Sequence, residues 1–283
     1  MVPIAEIRPS PIVGTWYSGN ARELTEQMDA FISQARLPKI PGNVFGLLAP
    51  HAGHLYSGAT AGYAYRAVQG NTYELVIILS PSHAYHPAEL LTSAHQYYAT
   101  PLGKIVIHHK ALALLQQELK KSGGEITRIA EDEEHSIEIQ LPFLQRALKG
   151  EFSLLPIMLR SQSAETVHQL AQALSPIIKK YKSLVIASSD LSHFYPLEIA
   201  NSLDTEILKM VGDCSPEGVL AAEKSGSGSA CGAGAIAVAL TLARAAGADC
   251  VKVLHHSTSG EVTGDFSSVV GYGAAVIYFD EVK

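Results

Sequence analysis

Leu75 to His83 reads LVIILSPSH, five aliphatic residues, a short turn and a histidine. The aliphatic part is apolar on both parities, the pattern of a strand buried on both faces, as in the parallel sheet of an α/β protein. Two further stretches repeat the arrangement. FGLLAPHAG (Phe45 to Gly53) places His51 after the run Val44 to Leu48, and LVIASSDLSH (Leu184 to His193) places Asp190 and His193 after the run Leu184 to Ala187. In an open α/β sheet, ligands bind in the crevice beyond the carboxyl ends of the strands. Neutral imidazole is the commonest metal ligand and the usual acid or base near neutral pH, so three histidines so placed point to a functional site. One alone would more often merely end its strand.

Working outward, helix and strand patterns alternate. Helices are expected at Ala21 to Ala35, capped by Asn20, and at Ser57 to Val68, Ala111 to Lys121 and Ser136 to Lys149. Further helices are expected at Ala164 to Tyr181, Pro196 to Val211, Pro216 to Lys224 and Ala230 to Ala246. Strands are expected at Lys104 to His108, Ser153 to Leu159 and Ser183 to Ser188, with Lys252 to Leu254 and Ser268 to Phe279 antiparallel at a sheet edge.

The chain has 283 residues, 47% of them hydrophobic, enough for one substantial core. No linker divides it, so a single α/β domain spanning 1–283 is expected. A net charge of −6 with scattered lysines and arginines offers no footprint for nucleic acid. There is no long apolar span and no signal-like start, so neither a membrane segment nor export is expected, and the cytoplasm is the default. Three widely spaced cysteines without a CxxC pair argue against a disulfide framework or zinc ribbon, leaving at least one thiol free.

One of these thiols stands out. SGSGSACGAGA (Ser225 to Ala235) is a Gly/Ser-rich loop entering an Ala-rich helix, with Cys231 near its first turn. A helix N-terminus favours the thiolate, so a lowered pKa and a nucleophilic or metal-binding role are expected; tight helix packing by a small residue is the competing reading. A P-loop is excluded by the missing lysine and hydroxyl pair. Asp190 and His193, three apart, can both face the crevice if the segment turns helically, the carboxylate orienting the imidazole. Glu134 and His135 precede a helix, where the acidic run Glu131 to Glu134 can equally favour a helix start. There is no GxSxG and no HExxH motif.

At this point the residues reach a family. GTWYSG (14–19), PHAGHLYSG (50–58), ILSPSH (78–83), TPLG (100–103), EHSIEIQLPFL (134–144), SSDLSH (188–193) and ACG (230–232), in this order, resemble the Memo family across nearly the whole chain. Memo proteins are similar to the class III extradiol ring-cleavage dioxygenases. The resemblance implies a three-layer α/β/α sandwich with a mostly parallel or mixed central sheet and a metal pocket at the strand ends. It places His51, His83 and Cys231 as metal ligands, with cysteine where the dioxygenases keep glutamate. It places Asp190 and His193 in the same pocket, His193 as acid/base. His54, where relatives commonly have tyrosine, is expected on the substrate wall with Tyr56, Trp16 and His135.

A two-histidine, one-carboxylate set suits Fe(II) and oxygen, whereas a thiolate also suits copper(I) or zinc. Fe(II) is the first candidate, with copper or zinc as alternatives. The reading that follows is a metal-dependent, dioxygenase-like oxidoreductase acting on a small organic molecule. The resemblance also implies an alternative, a ligand- or phosphopeptide-binding module, and, for prokaryotic relatives, partnership with a radical-SAM protein and a third pathway protein; a zinc-dependent hydrolase, with a bound water of lowered pKa, is a further alternative. Phosphate readers cluster arginines, and here Arg66, Arg128, Arg146 and Arg160 are scattered.

Overall fold

The computed structural model describes residues 4–280. Its strands are β1 (Val44–Ala49), β2 (Leu75–Pro81), β3 (Leu90–Ser93), β4 (Tyr97–Thr100), β5 (Gly103–Val106), β6 (Thr127–Ile129), β7 (Ser153–Leu159), β8 (Ser183–Ser188), β9 (His193–Tyr195), β10 (Cys250–Thr258) and β11 (Val269–Tyr278). Its α-helices are α1 (Ala21–Gln34), α2 (His54–Arg66), α3 (His109–Lys121), α4 (Leu141–Ala147), α5 (Ala164–Lys180), α6 (Leu197–Gly212), α7 (Pro216–Ser225), α8 (Ala233–Ala246) and α9 (Gly260–Thr263).

The central sheet runs β10-β11-β1-β8-β2-β7-β3-β6, with β9 added against β11 and β4-β5 a separate hairpin. Strands β1, β8, β2 and β7 are parallel neighbours. Strand β11 joins β1 antiparallel and β10 continues antiparallel as the edge. The sheet is therefore mixed. Alternation along β2 shows why it must be covered twice: Leu75, Ile77 and Leu79 belong to one core cluster, with residues of α3, α5, α6, α7 and α8, while Val76 and Ile78 belong to the other, with residues of α1, α2 and α4. The fold is thus a three-layer α/β/α sandwich. No helix among the described residues is long and apolar enough to cross a membrane.

Differences from the expected elements have local causes. The helix expected at Ser136 to Lys149 begins as a turn and a 3-10 segment, Glu138–Gln140, and becomes α-helical only at Leu141, with Pro142 in the first turn. Helix α2 starts three residues early, at His54, and α8 three residues late, at Ala233. The strand expected at Lys104 to His108 is the shorter β5, paired with β4 rather than with the main sheet. Strands β3, β6 and β9 are three or four residues long, held by register with β7, β3 and β11, and have no periodic signature of their own.

Candidate metal centre

Strands β1 and β2 flank β8, and each runs directly into its histidine: Pro50 and His51 after β1, Ser82 and His83 after β2. The parallel register sets Ala49 beside Ser188, so His51 lands above the end of β8. Cys231 arrives from the other direction, in the turn before α8. Gln162 clasps that turn, its Nε2 donating to the Cys231 carbonyl at 2.8 Å and its Oε1 accepting the Gly234 N–H at 2.6 Å. One ligand atom from each of His51, His83 and Cys231 lies within 4.8 Å of the others. The Cys231 Sγ is 3.1 Å from His51 Nε2.

The hydrogen bonds behind these side chains fix which nitrogen faces the centre. Ser188 has one hydroxyl proton, which it donates to the Ser136 carbonyl at 2.7 Å, and it accepts from Gln140 Nε2 at 2.8 Å. Its remaining lone pair faces His51 Nδ1 at 3.1 Å, so that nitrogen carries the proton and Nε2 is bare. His83 Nδ1 is 3.0 Å from both oxygens of Glu134, which leaves its Nε2 for the centre. Glu134 also accepts the backbone N–H groups of His83, His135 and Ser136 at 2.6, 2.9 and 3.0 Å. A second group of possible ligands, His83, Glu134 and His135, is therefore already committed to hydrogen bonding, and Glu134 acts as the orienter of His83.

The electrostatics follow from this arrangement. Burial opposes charge on Glu134, but the bonds from His83 and its neighbours outweigh it and hold the carboxyl well below the usual carboxylate range. The hydrogen bond to Glu134 raises His83. Burial, with its histidine neighbours, drives His51 well below the ordinary imidazole value. Burial brings His135 down to about 4; its ring stacks on His83 at 4.7 Å and lies 4.3 Å from the ring of Trp16. Beside the centre opens a cavity of about 700 Å³ lined by Trp16, Tyr56, His135, Asp190, His193 and Tyr272, among others.

A family profile described as Memo-like protein matches residues 8–276. The chain belongs to the Memo family. It is 34% identical to a MEMO1 family protein of Nitrosopumilus maritimus over 272 residues, 95% of this chain and 98% of the relative. MEMO1 family proteins of Thermoplasma volcanium and Aquifex aeolicus are 33% and 30% identical, covering 95% and 94% of this chain and 98% and 97% of their own lengths.

In this Memo-family chain three expected roles are corrected. First, Cys231 is not made acidic by α8. It lies two residues before the helix, and burial and the Asp190 carboxylate push the thiol up, so the metal-free side chain keeps its proton and can donate it to His51 Nε2. Second, Asp190 does not orient His193, because the segment after β8 does not turn helically. Asp190 Oδ1 instead accepts the N–H groups of His51 and Ala52 at 2.7 and 3.2 Å, and burial pushes its carboxyl up to about 7. His193 donates from Nδ1 to the Leu191 carbonyl at 2.8 Å. Third, His54 is not on the cavity wall. As the first residue of α2 it turns inward, 2% exposed, between Tyr17 and Phe143, with Nε2 on the Ile139 carbonyl at 3.0 Å.

Tyr56, Trp16 and His135 line the cavity, and His193 and Asp190 share it. Glu134, Ser188, Gln140 and Gln162 were not singled out as site residues from the sequence. Glu134 carried a signal in its adjacency to His135, and Gln140 and Ser188 lie within the quoted motifs EHSIEIQLPFL and SSDLSH, whereas Gln162 lies in none. Tyr272 and Ser259 join from the C-terminal segment, which held no recognisable motif. All three cysteines are free, and Cys214 and Cys250 lie outside the metal-ligand groups.

Proposed function

We propose that this chain is a metal-dependent oxidoreductase acting on a small organic molecule, with His51, His83 and Cys231 holding a transition metal, Fe(II) first and copper or zinc as alternatives. The observation that carries the reading is the convergence of three donors whose two imidazoles already have Nδ1 bound elsewhere, so that both offer Nε2 to one point. Such a donor set fits a borderline or soft divalent ion, and loading would release the Cys231 proton. Bound there, the metal would supply Lewis acidity and one-electron chemistry at the cavity wall.

The remaining work belongs to the chain's own residues. His193, with Nδ1 fixed on Leu191 and burial lowering its pKa, presents a neutral Nε2 on the same cavity and is suited to accept a proton from substrate. Glu134 and Ser188 hold the two imidazoles in orientation. Trp16 and Tyr56 form an aromatic wall for the organic body.

Elemental analysis of anaerobically purified protein tests this. Near-stoichiometric iron or copper, lost in Cys231→Ser, supports a redox centre and calls for a substrate screen under oxygen. Zinc alone, without redox activity, turns the reading toward hydrolysis. Failure to hold any metal after anaerobic reconstitution sinks it.

A further inference from the structure

The cavity has a chemical bias. The residues that line it include no lysine or arginine, and Asp190 is the one carboxylate among them. A site for phosphate or carboxylate ordinarily supplies Arg or Lys donors. A helix N-terminus, another common anion receptor, is taken up here: Asp190 occupies the N–H groups of His51 and Ala52, and the Trp16 carbonyl accepts that of His54 at 2.9 Å.

Asp190 itself is the second observation. The residue is 4% exposed and lines the cavity. Its Oδ1 accepts two backbone hydrogen bonds, yet its Oδ2 accepts none among the described residues and lies 4.0 Å from His51 Nε2, too far for a bond. Buried acceptors are normally satisfied, and a carboxylate oxygen facing a cavity is satisfied by what enters it. Trp16, Tyr56 and Tyr272 line the same cavity, and the negative faces of aromatic rings attract cations.

We propose that the centre takes a compact organic cation, an ammonium group on an aromatic or branched apolar body, with its N–H groups on Asp190 Oδ2 and its body against Trp16 and Tyr56. This deepens the proposed function and rests on the reading that the cavity is the substrate site of the metal centre. The assignment makes Asp190 the residue that selects substrate charge beside the metal ligands. It also accounts for a carboxylate that does not orient His193.

Trp16 is the only tryptophan in the chain, so its fluorescence reports directly on this cavity. Three probes of similar shape and different charge are titrated into the full-length protein after anaerobic incubation with Fe(II), its metal content being measured rather than assumed: 2-phenylethylammonium, 2-phenylethanol and 3-phenylpropionate. The ammonium is expected to bind about tenfold tighter than either of the others. In Asp190→Asn, which retains an acceptor for the two backbone N–H groups, that advantage disappears while metal content and thermal stability hold. Tyr56→Leu provides a separate arm, weakening the ammonium about fivefold and the alcohol much less.

Equal or tighter binding of the alcohol or the propionate overturns the proposal, as does no saturable binding of the ammonium at millimolar concentration. Loss of metal in Asp190→Asn also overturns it, because Asp190 would then be a ligand. Metal analysis of the same samples separates the two readings. A wild-type chain that holds no metal but selects the ammonium removes the oxidoreductase reading alone, and one that holds metal without selecting removes this inference alone.

Discussion

The two ends of the central sheet each carry a cavity of about 700 Å³, and they differ in almost everything else. At the carboxyl ends of β1, β2 and β8 the wall holds four histidines and a buried aspartate, with the Cys231 thiol alongside. At the opposite end a cavity of about 710 Å³ is lined by Val44, Phe45, Tyr73, Lys179, Lys182 and Phe279, among others. The same strands serve both ends, so volume does not distinguish them. Strand polarity does: helices α2 and α8 begin at the first end, while α5 and α8 finish at the second. The crevice beyond the carboxyl ends is the one into which parallel strands deliver their side chains.

The contrast is broken or sharpened by substitution. The largest expected effect is complete: His51→Ala, His83→Ala or Cys231→Ser brings metal content to background, while the double substitution of Lys179 and Lys182 by Ala leaves it unchanged. Elemental analysis reads both, and metal loss from the far-end variant would break the comparison.

Next comes acid. Burial holds His54 down at about 4, against 6.5 for a free imidazole. The unfolded chain therefore takes up this proton first as pH falls. The stabilisation from keeping His54 neutral is complete above about 6.5 and is lost as pH falls through about 4, on the order of 3 kcal/mol. Chemical denaturation of the metal-free protein across this range should show that slope reduced in His54→Gln. Hydrogen exchange should show opening first around α2 and the strand ends it covers; opening that starts at the Phe45 and Phe279 end would reverse the assignment.

A smaller effect is expected at Glu134. Glu134→Gln keeps one acceptor for His83 but loses the charge, and metal affinity should fall about 10- to 100-fold while the ligands remain. A competition titration against a chelator measures it. The smallest is His193→Ala, for which metal content should stay at the wild-type level; loss equal to that of His51→Ala would make His193 a ligand.

How much of this was legible in the sequence depends on what decided each position. Strands β1, β2, β7 and β8 were legible because burial on both faces writes an unbroken apolar run. Their histidines were legible because each follows such a run directly. His51 and His54 show where this stops: they lie three residues apart in one motif, and only the point at which α2 begins sends one to the centre and the other into the core. Glu134 lies in a run of four acids, Glu131 to Glu134, and the fold rather than the composition chooses the one beneath His83. Asp190 sits at a helical spacing from His193 in a segment that is not helical, so its partner is 139 positions away at His51.

The Ser188 hydroxyl under His51 depends on the pairing of Ala49 with Ser188, and that pairing is a property of the whole β1–β8 ladder. A slip of one residue between two parallel strands turns every side chain to the opposite face, and the slip that brings Ala187 to the place of Ser188 leaves no hydroxyl beneath His51. In the proposed centre, retention of an ion would therefore report on strand register: a chain settled with Ala187 in that place lacks the lock for the imidazole even where its helices are fully formed.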